Sequence, residues 1–297
     1  MTFQRIVVLG AGAVGSAYGA LLSRRSNVLL VGRPEHVEAI NADGLLIEEN
    51  AKGRYKLHAA TSLQEIPSQT LLLVATKAYD LLDSLKSIRD LVRQDTVVLL
   101  LQNGLGIEET ASRALKGRGQ IIRGLATLAS EMLAPGRIRY WKGPTILAHD
   151  TISARVAQVL EDSGLVVRIV DDFATEVWKK LVVNCVINPL TAILQVRNNE
   201  IGGGLLAGIR HAVIGEVVAV GVAEGIPLKS DLATFVDQLI PRYENRSSML
   251  QDLARGSRTE IDFLNGKVAE LGKRHGIPTP ANDCLTQLVR FLEVRPR

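Results

Sequence analysis

Lys180, Asn184 and Asn188 recur at every fourth position of an otherwise apolar run, EVWKKLVVNCVINPLTAIL. A helix turns about 100° per residue, so this spacing stacks one cation and two amides along one face. Val182, Val183, Cys185, Val186 and Ile187 fill the other faces, which sets the polar row in or beside a core. Burying an unpaired polar group costs about 1–3 kcal/mol, and a charge costs more. The row therefore needs a polar partner, and a substrate is the partner expected.

The chemistry at the other end of the chain is that of a dinucleotide. GAGAVG, with Gly10, Gly12 and Gly15, follows a strand-like run and opens a helix-like one. In that context the first glycine permits a tight turn and the second lets backbone approach a pyrophosphate. The third allows close helix–strand packing, and the helix N-terminus offers N–H groups to the anion. The next strand ends at Gly32-Arg33, where an NAD enzyme usually presents a carboxylate to the ribose 2′-hydroxyl. Arg33 offers a planar cationic fork suited to a 2′-phosphate, so NADPH is expected over NADH. Glu35 is expected to be solvated. Lys77 and Asn103 each lie just past a strand end, where open α/β sheets bind ligands. The bland alternatives are a surface lysine and an Asn103-Gly104 turn.

The elements that must carry these groups change character midway. RIVVLG (5–10), NVLLVG (27–32), TLLLVAT (70–76), TVVLLLQ (96–102) and QIIRGLA (120–126) read as strands, with helices at 14–25, 35–42, 79–93 and 106–116 between them. Near-continuous apolar strands alternating with helices predict a doubly wound parallel sheet covered on both faces. RIRYW and TILAH are expected to complete that sheet, followed by a helix at 151–164 and a last strand at 165–172. From about residue 173 the periodicity is helical, with segments at 173–195, 200–225, 229–240, 247–255, 259–275 and 280–293. Gly225-Ile226-Pro227 and Gly276-Ile277-Pro278 mark helix exits. The expected division is an α/β domain over 1–172 and an all-helical domain over 173–297. Pro189 should kink or end its helix.

Composition excludes several classes. The chain has 35 basic and 31 acidic residues, a net charge of +4, and no basic stripe with interleaved aromatics, so nucleic acid is not an expected partner. Cys185 and Cys284 are far apart, which fits a reducing compartment, and the five histidines are isolated, so no metal site is expected. No secretory leader is visible, and no apolar segment is read as reaching the ~20 residues needed to cross a bilayer. The expectation is a soluble cytoplasmic protein with no membrane partner.

A second dense stretch, ENRSSMLQDLARGSRTEIDFLNG (244–266), puts Ser248 at a helix start and Glu260 at the opening of the next helix. Glu260 has a structural explanation, because Ser257-x-x-Glu260 matches a capping box, and Asn265-Gly266 can be read as close packing. Taken together, GAGAVG, the Arg33 strand end, Lys77, QNG (102–104), WKKLVVNCVINPLTA (178–192) and SSMLQDLARGSRTEIDFLNG (247–266) resemble the ketopantoate reductase (2-dehydropantoate 2-reductase) family, in order and across nearly the whole chain. The resemblance implies a Rossmann-like domain, a helical C-terminal domain with a cleft between them, and NADPH-dependent reduction of 2-dehydropantoate to (R)-pantoate, on the route to pantothenate and coenzyme A. It gives Lys180 as the catalytic lysine and Glu260 as the acid beside the active site. Asn103, Asn184, Asn188 and Ser248 fall at substrate positions, as do Asn198 and Asn245, which serve substrate binding or domain closure. Gly10, Ala11, Gly12, Ala13, Val14, Gly15, Arg33, Lys77, Asn103 and Glu260 fall at cofactor positions. The sequence after Lys77, AYDLLDSL, departs from the family in having no polar residue poised to assist there.

In such a reaction the ketone oxygen accumulates negative charge as hydride arrives. An ammonium stabilises that charge and then donates a proton, and a lysine of ordinary pKa, about 10.4, is already protonated at neutral pH. Lys180 is the candidate, and Lys179, about 100° round the helix, is expected to be solvated and dispensable. Two alternatives stay open: an NADP-linked dehydrogenase of another hydroxy acid or sugar acid, and a non-catalytic NADP(H) sensor. Helical domains often bury apolar faces in a homodimer, and that partner too stays open, since no stretch declares itself an interface.

Overall fold

The computed structural model describes residues 3–229 and 231–295 and divides into two units. The first comprises Met1–Gln102 and Gly106–Phe173, and the second Asn103–Leu105 and Ala174–Arg297. The expected division at 172/173 makes no provision for Asn103–Leu105, which clusters with the helical unit although it follows a strand of the sheet.

The first unit runs β1 (Arg5–Leu9), α1 (Ala13–Leu22), β2 (Val28–Val31), α2 (Pro34–Asp43), β3 (Leu45–Glu49), β4 (Gly53–Tyr55), β5 (His58–Ala60), β6 (Thr70–Val74), α3 (Leu81–Ile88), β7 (Val97–Leu100), α4 (Ile107–Leu115), β8 (Gln120–Ala126), β9 (Ala129–Ala134), β10 (Arg137–Trp141), β11 (Thr145–Ala148), α5 (Thr151–Asp162) and β12 (Val167–Val170). Eight strands form one sheet in the order β12-β11-β8-β7-β6-β1-β2-β5. It is parallel from β5 through β8, and β11 runs antiparallel to β8. The central strands are buried on both faces, as their unbroken apolar sequences require.

One strand is not where the sequence pattern put it. RIRYW does not complete the main sheet, because β10 pairs with β3 and β9 in a separate four-stranded sheet ordered β4-β3-β10-β9. Its burial alternates, with Ile138 and Tyr140 inward and Arg137 and Arg139 outward, the signature of a sheet covered on one face only. TILAH does join the main sheet, as β11. The short strands β3, β4, β5 and β9 had no expectation, since charged or broken runs such as LLIEE carry little strand signal.

The second unit is helical: α6 (Phe173–Leu194, its first residue counted with the first unit), α7 (Ala207–Ala223), α8 (Leu232–Leu239), α9 (Ser248–Ala254), α10 (Asn265–His275) and α11 (Pro280–Val294). The expected helix at 200–225 begins late because Gly202, Gly203 and Gly204 interrupt it, leaving short 3-10 turns before α7. Pro189 does not end α6, which continues to Leu194. Val182, Cys185, Val186 and Ile187 of α6 pack with Val213, Val217 and Val220 of α7 and with Leu264 and Val268 in one core.

The reading that no apolar stretch reaches bilayer length is corrected. Phe173–Leu194 (22 residues, mean hydropathy 1.3) and Gly204–Ala223 (20 residues, mean hydropathy 1.7) pass that test by length and composition. The two asparagines within α6 interrupt the apolar run without outweighing its valines, leucines and isoleucines. Two thirds of the apolar window of α6 is buried, which is what the core helix of a folded protein shows.

Candidate active site

The glycine loop joins β1 to α1 at one edge of the parallel sheet. Gly10 adopts φ +99°, and a Cβ there would lie 2.5 Å from the Thr76 nitrogen. At Gly15 a Cβ would lie 2.2 Å from the Gly10 carbonyl oxygen, so only glycine lets helix and loop approach this closely. Gly12 differs: it is exposed, and a Cβ would meet nothing within 4 Å. The space beside it is therefore open to a ligand. Ser16 makes the first backbone bond of α1 back to Gly12, which leaves the Ala13, Val14 and Gly15 amides at an open helix end. That donor set can accept a pyrophosphate. Ala11 is buried beneath, against Gly32.

Arg33 stands at the N-cap of α2, exposed; its backbone carbonyl accepts from Val37 N–H at 3.0 Å, and its guanidinium makes no ion pair or hydrogen bond among the described residues. Lys77 is half-buried at the start of the 3-10 turn Ala78–Asp80, after β6. Parallel pairing of β6, β1 and β2 brings Lys77, the glycine loop and Arg33 to the same sheet edge. His36, which had no expected role, braces this edge. Gly136 N–H donates to Nδ1 at 2.9 Å, so the neutral ring carries its proton on Nε2, 2.9 Å from Ser16 Oγ. Burial holds the His36 pKa below the ordinary value.

In the helical unit, α6 carries Lys180 and Asn184 half-buried and Asn188 only 7% exposed. The Asn188 side-chain amide has no hydrogen-bond partner among the described residues, although its helix is otherwise packed. Lys179 is not simply solvated: its ammonium pairs with Glu176 at 2.9 Å, with 42% of its side chain exposed. Ser248 is the first residue of α9, while the preceding Ser247 is the cap, accepting from Leu250 N–H at 3.1 Å. Ser247 Oγ also lies 2.7 Å from Thr191 Oγ1, tying the start of α9 to the turn of α6 just beyond Asn188.

Two further pairs are brought together. Asn103 Nδ2 donates to Glu260 Oε2 at 3.3 Å, and Asn198 N–H donates to the Asn245 carbonyl at 3.2 Å. Asn198 Oδ1 is buried without a hydrogen-bond partner. The capping-box reading of Glu260 fails. Ser257 caps no helix, its N–H going to the Asp252 carbonyl at 2.9 Å; Glu260 itself precedes the 3-10 turn Ile261–Phe263, five residues before α10 begins, and is 6% exposed. Asn103-Gly104 is more than a turn. Gly104 has φ +92°, its Cβ would lie 2.4 Å from the Phe263 carbonyl oxygen, and Leu105 N–H donates to that same oxygen at 3.2 Å.

Asn265 does more than pack. Its Nδ2 donates at 2.9 Å to the Cys185 carbonyl, four residues before Pro189. A proline in an apolar helix signals such an orphaned acceptor; which residue answers it is not legible in sequence.

A family model described as ketopantoate reductase PanE/ApbA matches residues 6–149, and a second, for the C-terminal part of ketopantoate reductase PanE/ApbA, matches residues 172–293. The 2-dehydropantoate 2-reductase of Pyrococcus horikoshii is 36% identical over 300 residues, covering 98% of both chains. That of Archaeoglobus fulgidus is 32% identical over 307 residues, covering 99% of both. Among solved structures, a PanE/ApbA family ketopantoate reductase from Ralstonia eutropha JMP134 superposes with a TM-score of 0.90 at 33% identity, over 97% of this chain and 98% of that one. D-mandelate dehydrogenase, solved with NADH and anilino(oxo)acetate, does so with a TM-score of 0.89 at 30% identity and the same coverage.

Proposed function

This chain belongs to the ketopantoate reductase family, and from that premise we propose that it reduces 2-dehydropantoate to (R)-pantoate with NADPH. The observation that carries the reading is the α6 row, a half-buried lysine followed by two amides, of which the buried Asn188 has no partner among the described residues. Such a row suits a small anionic keto acid.

NADPH, when bound, supplies the hydride. The loop Gly10, Ala11, Gly12, Ala13, Val14 and Gly15 would hold its pyrophosphate, Arg33 its 2′-phosphate, and Lys77, Asn103 and Glu260 complete the set. The Lys180 ammonium stabilises the charge growing on the ketone oxygen and donates the proton that makes it a hydroxyl. Asn184 and Asn188 hold the polar groups of the substrate, with Asn198 and Asn245 as further contacts. Ser248 bonds the substrate carboxylate, and Glu260 takes a substrate hydroxyl while orienting Lys180.

The D-mandelate dehydrogenase likeness favours a second reading, oxidation of a 2-hydroxy acid with a nicotinamide cofactor, in which the same lysine would be the base. Following NADPH absorbance with purified protein and 2-dehydropantoate, wild type beside Lys180→Ala, decides between them. NADPH consumption with 2-dehydropantoate that exceeds its consumption with a panel of other 2-keto acids, and exceeds NADP+ or NAD+ reduction by D-mandelate, is the expected result. A higher kcat/KM for D-mandelate would overturn it.

A further inference from the structure

Pro189 sits inside α6 and has no N–H, so the carbonyl of Cys185, four residues earlier, lacks the donor that the α-helical pattern would give it. Cys185 is fully buried, so water does not serve that oxygen either. Asn265 does, through Nδ2 at 2.9 Å. Its second Nδ2 proton goes to Asn282 Oδ1, also at 2.9 Å, which leaves the amide one orientation. Asn282 is in turn held by Glu216 at 2.7 Å, and the Glu216 carboxylate accepts the Ala281 and Asn282 amides at the start of α11. Asn265 and Asn282 are both 0% exposed.

The repaired turn lies within the polar row. Asn184 immediately precedes the orphaned carbonyl and Asn188 immediately precedes the proline, so the geometry of the 185–189 turn sets the angle between the two amides and Lys180. Asn265 also opens α10, five residues after Glu260. We infer that Asn265 is a positioning residue: its bond to the Cys185 carbonyl holds the proline turn of α6 in the form that aims Asn184 and Asn188 at the keto acid. This rests on the function proposed above.

The test is a rescue. Asn265→Ala is expected to lower kcat/KM for 2-dehydropantoate about 10–100-fold, the scale of a small misplacement of binding groups, with the Kd for NADPH unchanged. Pro189→Ala supplies the missing N–H, so the Asn265→Ala/Pro189→Ala double variant is expected to recover most of that loss. Amide hydrogen exchange over residues 186–193 should accelerate in the single variant and slow again in the double. If Asn265→Ala alone does not fold, a folded and active double variant still supports the claim. A double variant that stays unfolded, or folds without regaining activity, overturns it. Wild-type exchange and kcat/KM in Asn265→Ala would overturn it as well. A wild-type enzyme inert toward every 2-keto acid sinks the functional reading, and the exchange measurement then decides by itself whether Asn265 holds this turn.

Discussion

Asn103 Nδ2 and Glu260 Oε2 meet at 3.3 Å although 157 residues separate them in the chain. The approach depends on Gly104, whose left-handed backbone lets the segment press onto the Phe263 carbonyl. Gly104→Ala combines a strained φ with a clash against backbone and should cost about 1–3 kcal/mol. It should also lower kcat/KM, because Asn103 is carried away from Glu260. Unfolding curves and steady-state kinetics check this; a variant with wild-type Tm and turnover would show that the segment is not held there. Glu260→Gln, by contrast, keeps the shape and should lose turnover selectively while its Tm holds.

Substitutions at Lys180 and Lys179 test whether chemistry and surface charge separate on α6. Lys180→Ala should lower kcat by about 10²–10⁴, the range for a positioned proton donor. Lys179→Ala removes a partly exposed i,i+3 ion pair with Glu176, worth a few tenths of a kcal/mol at most, and should leave kcat within about twofold. Equal losses at the two positions in parallel assays would mean that the wrong face of α6 has been assigned.

Arg33 is the point at which cofactor choice can be measured. Arg33→Ala should reduce the NADPH-to-NADH ratio of kcat/KM by about 10- to 100-fold, the value of a lost charge-assisted contact, chiefly through the KM for NADPH. An unchanged ratio would leave Arg33 a surface charge.

His36 predicts a pH dependence with a definite sign. Its folded pKa lies below the ordinary 6.5, so above that value both folded and unfolded states hold it neutral and its contribution to stability is complete. As pH falls through 6.5 the unfolded chain takes up a proton that the folded ring resists, and stability is lost down to the folded pKa. Protonation would also set an N–H against the Gly136 amide. Thermal unfolding from pH 8 to 5 should show a fall in Tm for wild type that is shallower in His36→Gln. Parallel slopes for the two would remove His36 from the account.

The cysteines should differ in reactivity. Cys284 is exposed, whereas Cys185 is buried and burial pushes its thiol pKa far up. A thiol reagent should therefore titrate one group in the native protein and two in denaturant. Two fast-reacting thiols under native conditions would mean that α6 opens readily.

The doubly wound sheet was legible because buried parallel strands are written as apolar runs, and the helical half because its periodicity is unambiguous. RIRYW shows the limit: the same five residues can edge a large sheet or centre a small one, and the partners that decide, Leu46–Glu49 and Ala129–Ala134, are weak strands on their own. Glu260 shows another, since a capping-box spacing occurs there without a helix to cap. Lys180, Asn184 and Asn188 could be placed on one face because a helix imposes that geometry locally.

The chain by itself determined what depends on neighbours in sequence: the glycine loop after β1, the polar row of α6, the donor missing at Pro189, and the order of elements. Tertiary structure decided which distant group completes each local need, giving Asn265 to the Cys185 carbonyl, Glu260 to Asn103 and Ser247 to Thr191. The reason is that backbone geometry acts over a few residues, whereas an unsatisfied buried atom can be answered from anywhere the packing allows.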